Sequence, residues 1–353
     1  MRVYFFLRPQ GPPESSNYQH CAVALGEGLR ALGVPFCANV DYWREKDGFL
    51  FRRDPAVVPE DCSIIITGDE YGQESPVPGH LFGGGRRTVH IDSSDGWRTR
   101  AEAPAYRRFD LVLRTHSNAH YRYPSNVRPW AFGLTERILS HSSGGLPFQE
   151  RARALLWPFR VSHPVRSRAS GVRSDLSGRF PADDSVDAAP GPELLEEHAL
   201  WAATGRRHYP AFFSRLRQTM LCAAFGGYFA PGILGRTESL GERTLYAVCS
   251  RLRVATRTVM QFDSWRFWES LASGCLTLQL DYHRYGCLLP EMPVSRTHYA
   301  GIDLAERDPS AWILDSSDEE LASVACTGRD WAVEHYAPAP TARRLLRLLG
   351  ERV

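Results

Sequence analysis

The chain alternates short apolar runs with longer stretches in which apolar residues recur at helical spacing. Arg2–Leu7 (RVYFFL) is a continuous apolar run that gives way to a Pro/Gly/Ser-rich stretch ending near Asn17, so it predicts a buried strand and then a loop. In CAVALGEGLRALG, the residues Ala22, Leu25, Leu29 and Leu32 keep helical spacing, and Gly33 is a natural stop. Four further runs predict strands: PFCANV, Ser63–Gly68, Thr88–Asp92 and Phe109–Thr115. Strands alternating with helices point to a parallel sheet of βαβ units. Polar residues follow these strands directly: Asp69 and Glu70, then Ser93 to Asp95, then His116 to Asn118. In an open parallel sheet such carboxyl ends form the ligand crevice.

From about Arg166 to Pro192 the chain is rich in Ser, Gly, Asp and Pro, with no visible apolar period, which predicts a linker or mobile loop. Two helical stretches follow, Glu193–Thr204 and Ala211–Met220. A second alternation begins near Leu221. LCAAFGGYFA predicts a strand and turn, ERTLYAVCSRL a helix, RVATRTVM a strand, SWRFWESLASG a helix and CLTLQL a strand. Helices at Glu319–His335 and Thr341–Arg352 close the chain. The expected fold is α/β, with two Rossmann-like lobes facing across a cleft. The first lobe takes residues 1–165, a linker with helices 166–217, the second lobe 218–340 and a final helix 341–353.

The length of 353 residues suits about two domains, each able to bury its own core. Apolar residues make up 43% and charged residues 23%, an ordinary globular balance. Net charge is only +2, with both signs interspersed, and no basic stripe is visible, so no nucleic acid partner is expected. Lys46 is the sole lysine. That bias towards arginine fits a GC-rich bacterial genome and also suits phosphate recognition. No apolar run is long enough to span a bilayer, and MRVYFFLRPQ is too short for a signal peptide. The eight cysteines (Cys21, Cys37, Cys62, Cys222, Cys249, Cys275, Cys287, Cys326) show no CxxC or CxH spacing and read as reduced thiols of a cytoplasmic protein.

Several familiar signatures are absent or out of place. Gly26-Glu27-Gly28-Leu29-Arg30-Ala31 matches GxGxxA in letters, yet it lies within a helical stretch rather than directly after a strand. There is no P-loop, no GxSxG elbow and no HExxH. Gly83–Gly85 before Arg86 and Arg87 reads as a flexible turn better than as an anion nest. The informative segment is Gln261–Cys275, QFDSWRFWESLASGC. Asp263 and Ser264 are good N-cap residues, and Arg266 and Glu269 then lie on neighbouring positions near the helix start. An arginine beside a helix N-terminus suits a diphosphate, and a carboxylate one turn on can accept from ribose hydroxyls. The plain alternative is an Arg–Glu surface pair.

DSWRFWESLASGC followed by LTLQLDYHRYGCLLPEMP resembles the donor-side signature of exostosin-like and related glycosyltransferases of the GT-B fold, D/N-S-x-R-x-x-E-x-L-x-x-G-C. Upstream, LYAVCSRLRVATRTVM resembles the helix and strand that precede the motif, with Arg257 near the family's Pro-Arg-Gly turn, here Thr256-Arg257-Thr258. The tail resembles the C-terminal helices of such enzymes, the last crossing back to the first lobe. The resemblance implies a nucleoside-diphosphate sugar on the second lobe, an acceptor on the first and chemistry between them. Carried over by position, Arg266 would contact the diphosphate and Glu269 the ribose, with Ser264 and the backbone near Asp263 beside the phosphates. Arginines and helix dipoles would then neutralise the leaving group, so neither a metal nor a separate cofactor is required.

An inverting enzyme needs a base near the acceptor hydroxyl, and Asp92, Asp95, His116 and His20 are the candidates; a retaining one needs none. Each also fits a structural role as turn former, cap or buried polar residue. Tyr282, with His283 and Tyr285, follows a strand end in the donor lobe and is a candidate for base stacking or sugar contact. Trp97, Tyr121, Tyr123 and Trp130 are read as ordinary core or surface aromatics. The expected activity is transfer of a sugar to a small-molecule or glycan acceptor. The alternative is a pseudo-glycosyltransferase or nucleotide-sugar-binding protein without glycosyl transfer.

Overall fold

The computed structural model describes residues 1–9, 18–68, 78–94, 104–159, 164–184, 202–204, 207–229, 244, 248 and 258–351. The first lobe opens with β1 (Val3–Phe6), α1 (His20–Ala31) and β2 (Phe36–Ala38). A hairpin of β3 (Tyr42–Glu45) and β4 (Gly48–Phe51) follows, which the sequence reading did not anticipate. Next come β5 (Ile64–Thr67), β6 (Arg87–Asp92), β7 (Leu111–Arg114), the two-residue β8 (Ser117–Asn118), β9 (Val127–Pro129) and α2 (Glu136–Ser142). Six of these strands form one sheet in the order β2-β1-β5-β6-β7-β9, parallel throughout. All four residues of β5 and of β7 are buried, because the sheet is covered on both faces and their side chains meet apolar neighbours on each.

The second lobe begins at β10 (Ala152–Leu156) and α3 (Pro164–Leu176), then β11 (Ala182–Asp183), α4 (Pro210–Leu216) and β12 (Thr219–Ala223). The short pair β13 (Tyr228–Phe229) and β14 (Val259–Met260) is followed by α5 (Trp265–Ala272), β15 (Leu276–Leu280), β16 (Cys287–Leu288) and β17 (Ala300–Ile302). Three helices end the chain: α6 (Ala311–Asp315), α7 (Asp318–Tyr336) and α8 (Pro338–Leu348). The second sheet runs β11-β10-β12-β15-β17 and is parallel as well.

Two differences from the sequence reading follow from this topology. Residues 152–156, placed there in the first lobe, pair with β12 and belong to the second sheet. The expected linker is, over its first part, the helix α3. Its Val165, Ala169, Val172 and Leu176 are buried at helical spacing, while serines and arginines face solvent and dilute that period. The helix expected over 193–204 falls mainly outside the described residues.

Several contacts tie the lobes. β8, just after a first-sheet strand, pairs antiparallel with β16 of the second lobe. The Asn118 amide donates to the carbonyls of Val259 (3.0 Å) and Tyr285 (2.9 Å). Helix α8 packs along α1, where a Cβ on Gly28 would collide with the Pro338 carbonyl. Gly28→Ala is therefore expected to force the two helices apart at a cost of about 1–3 kcal/mol, seen as a lower Tm, whereas Gly171→Ala on the exposed side of α3, with nothing within 4 Å, should not lower it.

Glu27, on the buried face of α1, accepts from the Glu136 N–H at 2.8 Å, and burial pushes its carboxyl up to about 8. A folded-state value above the unfolded 4.5 means that the stability is complete below pH 4.5 and is lost as pH rises through about 8. The loss is on the order of 5 kcal/mol. Glu27→Gln keeps an acceptor for Glu136 and has no proton to lose. In that variant the fall of Tm between pH 5 and 8 is expected to shrink; an unchanged slope would refute the assignment.

Candidate functional site

Helices α3 and α5 both begin at the carboxyl ends of the second sheet. Ser264 occupies the N-cap of α5 with extended backbone (φ −149°, ψ 148°), and its Oγ donates to the Ala224 carbonyl at 3.5 Å instead of capping the helix. One turn into α3, Arg166 donates from Nε to the Phe225 carbonyl at 2.9 Å and lies over the Phe159 ring, 4.7 Å from its centroid. Burial and the nearby Arg266 guanidinium pull the Arg166 pKa down to about 10. The Arg166 and Arg266 guanidiniums thus lie, half-buried, near the starts of two helices, and the charge of Arg266 disfavours that of Arg166. Among the described residues Arg266 makes no ion pair. An anion set between them would remove that repulsion and meet the helix N–H groups together. The adjoining turn needs glycine: Gly227 has φ +106°, and a Cβ there would lie 2.6 Å from the Met260 carbonyl.

Glu269 faces inward from α5. Its Oε1 meets His208 Nδ1 at 2.7 Å, and the side chain is only 5% exposed. Arg266 and Glu269 thus flank the same helix start without forming the surface ion pair that spacing alone allowed.

Asp263 is not a cap. It is buried, with Oδ2 accepting from the Phe132 N–H of the first lobe at 2.8 Å and Oδ1 from Trp268 Nε1 at 2.7 Å. Burial pushes its carboxyl up to about 7 against these donors. Its own N–H donates to His116 Nδ1 at 3.2 Å. The expected place beside phosphates is corrected to an interlobe tie. Tyr282 is corrected as well: it is fully buried among Phe262, Phe267 and Tyr299, so its ring has no face left for a nucleobase.

The described base candidates are occupied too. Asp92, at the end of β6, forms a fully buried ion pair with Arg114 and accepts from the Ser94 hydroxyl. Burial opposes its charge, yet Arg114 and Ser94 outweigh it and hold the carboxyl below its usual range. A carboxylate so paired and so buried has no access to an acceptor hydroxyl. Burial, reinforced by the Arg114 charge, lowers His116 to about 3, and burial reinforced by His208 does the same to His20. Both imidazoles are weak bases and structural in position. His116 turns the chain out of β7 at φ +53°. His20 spans Tyr18 Oη at 2.7 Å and the Gly133 carbonyl at 3.2 Å. Asp95, Arg257 and Trp97 lie outside the described residues. Trp130 is core, and Tyr123 accepts from the Asn118 N–H at 3.0 Å.

Sequence reasoning missed Arg166, His208 and Tyr18. A signal existed only for the first, in SHPVRSR, where Pro164 opens a helix shortly after a strand. His208 and Tyr18 meet through tertiary packing and carry no local pattern.

No family model matches the sequence, and no curated protein matches it significantly. Solved structures do match in shape. An α-glucosyltransferase in complex with UDP and a 13-mer DNA containing a central A:G mismatch superposes with a TM-score of 0.58 at 10% identity, over 99% of this chain and 100% of that one. An α-glucosyltransferase with UDP-glucose and DNA containing an abasic site gives 0.56 at 9% identity, over the same shares. One with UDP and a 13-mer DNA containing an HMU base gives 0.53 at 9%, again over 99% and 100%. The chain has the GT-B glycosyltransferase fold. The same neighbours correct the exclusion of nucleic acid: proteins of this fold are solved with DNA bound, and a whole-chain charge balance does not report on local charge. Among the described residues no helix is long and apolar enough to cross a membrane.

Proposed function

We propose that this chain is a glycosyltransferase that moves a sugar from a nucleoside-diphosphate sugar to a small-molecule or glycan acceptor, with the exostosin-like segment around Arg266 as its donor-side motif. The observation that carries the reading is the placement of Arg166 and Arg266, half-buried, near the starts of two helices. In the transfer the bond from the anomeric carbon to the phosphate oxygen breaks, a bond to the acceptor oxygen forms, and the acceptor hydroxyl's proton passes to the departing diphosphate oxygen. The nucleoside diphosphate leaves with the electron pair. Its added charge is met by the two guanidiniums and the helix N-termini, which supports transfer without a divalent metal and with no cofactor besides the donor. Structural neighbours solved with UDP and UDP-glucose support the same donor class.

A thermal-shift panel of UDP, GDP, dTDP and their sugars tests the reading. A matching nucleotide at about 100 times its dissociation constant adds about 2.7 kcal/mol. No shift with any of them would sink the proposal. Binding without release of sugar, across a broad set of acceptors, would favour a nucleotide-sugar-binding protein instead.

A further inference from the structure

Four hydrogen bonds run in a single line from the donor helix into the first lobe. Glu269 Oε1 meets His208 Nδ1 at 2.7 Å, and His208 Nε2 meets Tyr18 Oη at 3.0 Å. Tyr18 Oη meets His20 Nδ1 at 2.7 Å, and His20 Nε2 meets the Gly133 carbonyl at 3.2 Å. The Gly133 carbonyl at one end can only accept, and the Glu269 carboxyl at the other is an acceptor when ionised. Four hydrogen bonds need four protons, and a neutral His20, a tyrosine and a neutral His208 hold only three between them. The carbonyl end obliges His20 to carry its proton on Nε2. Tyr18 must then donate to His20 Nδ1 and accept from His208 Nε2, so the fourth proton lies between His208 Nδ1 and Glu269 Oε1. That shared proton gives either an imidazolium facing a carboxylate or a neutral imidazole facing a carboxylic acid.

We propose that His208, kept protonated by the hydrogen-bond line through Tyr18 and His20, is the positioning residue that holds the Glu269 carboxylate ionised and oriented for the ribose hydroxyls of the donor. This rests on the donor-site reading given above. His208 is buried and sits at φ +54°, a left-handed backbone that histidine and asparagine tolerate better than most residues. Such a conformation persists only where its surroundings over-determine it. The neighbouring guanidiniums oppose a further cation there, so an imidazolium depends on the Glu269 carboxylate opposite it. Arg137 donates to the His208 carbonyl at 3.5 Å, Arg207 lies over the Trp265 ring 4.4 Å from its centroid, and Glu27 acts on Tyr18 from α1. Burial, followed by the charge of His208, drives His20 down to about 3, so the extra proton does not reside there. With Oε1 committed to His208, Glu269 keeps Oε2 to accept from a hydroxyl. Because the line ends on Gly133, the first lobe takes part in setting the donor site.

Two measurements test the proposal. Nitrogen-15 spectra of the histidine side chains at pH 7.5 are expected to show His208 with both ring nitrogens protonated. A neutral tautomer would overturn the proposal. Calorimetry with UDP and with 2′,3′-dideoxy-UDP then asks whether His208 acts through the ribose contact. The wild-type protein is expected to prefer UDP by about tenfold, the weight of a hydrogen bond to a charged group. His208→Ala should abolish the preference while leaving dideoxy-UDP binding unchanged. His208→Asn, which tolerates the backbone and supplies an amide donor to Glu269, should restore most of it. A preference that survives in His208→Ala, or equal losses of UDP and dideoxy-UDP binding, would overturn the positioning role. Wild-type protein that shows the imidazolium and binds neither nucleotide would instead overturn the donor reading beneath it.

Discussion

Alanine at Arg266 is expected to weaken UDP binding by roughly ten- to a hundredfold, and alanine at both Arg166 and Arg266 to take it beyond calorimetric reach. In the proposed donor site each guanidinium would make charge-assisted hydrogen bonds to phosphate, worth about 1.5–3 kcal/mol apiece once the site is partly desolvated. The two are placed so that losing one does not free the other to compensate, since each is held by its own helix. Tm in the absence of ligand should change little, or rise slightly, because the variant also loses a repulsion between half-buried cations. That combination separates a ligand site from a structural one. A residue that only packs would cost stability and leave nucleotide affinity alone. If UDP, GDP and dTDP bind the Arg266→Ala protein as they bind the wild type, the diphosphate assignment fails, and with it the transferase reading.

The second large effect belongs to the Asp92–Arg114 pair. Both side chains are fully buried, and Arg114 Nη1 bonds Asp92 Oδ2 at the crevice end of the first sheet. Arg114→Met leaves a carboxylate with no cation in an environment where desolvation strongly disfavours its charge. The expected cost is about 3–5 kcal/mol, with a Tm lower by roughly 10 °C. Combining Arg114→Met with Asp92→Leu should recover most of that loss, because an apolar pair of similar volume carries no uncompensated charge. The pH dependence has the opposite sign to that of Glu27. Asp92 is held below its unfolded 3.8, so its contribution is complete above that value and is lost as pH falls through the lower folded one. Urea unfolding followed at pH 7 and at pH 3 checks both statements. A single variant as stable as the wild type would show that the pair is exposed or already neutral. This pair also explains why Asp92 attracts attention as a base without being able to serve as one.

Local pattern made most elements legible. The runs that became β1, β5, β6 and β7 are continuous apolar stretches, because a parallel strand covered on both faces has no solvent side to mark with polar residues. Helix α5 was legible from Ser264 onward, since cap chemistry and the spacing of Phe267, Trp268 and Leu271 are properties of one turn of chain. The hidden helix was α3, whose four buried residues are separated by Ser, Gly and Arg that suit its exposed face but read as linker. The lobe to which residues 152–156 belong was not legible either, because a strand's sequence specifies a pleated, buried surface and not the strand beside it.

The amino-acid order by itself determined that this protein is two α/β lobes with a basic helix start at Arg266 and a carboxylate one turn on. Those features depend on residues within a few positions of each other. Tertiary structure alone decided what the polar groups do. Asp263 finds Phe132 from 131 residues away, and Glu269 finds His208 from 61. Arg166 reaches the neighbourhood of Arg266 only when two distant helices start at one sheet edge. Burial and partner choice set charge state and access, and neither is encoded in spacing. Candidate acids and imidazoles therefore became ties, while the arginine proposed to act beside Arg266 came from a segment that looked like a linker.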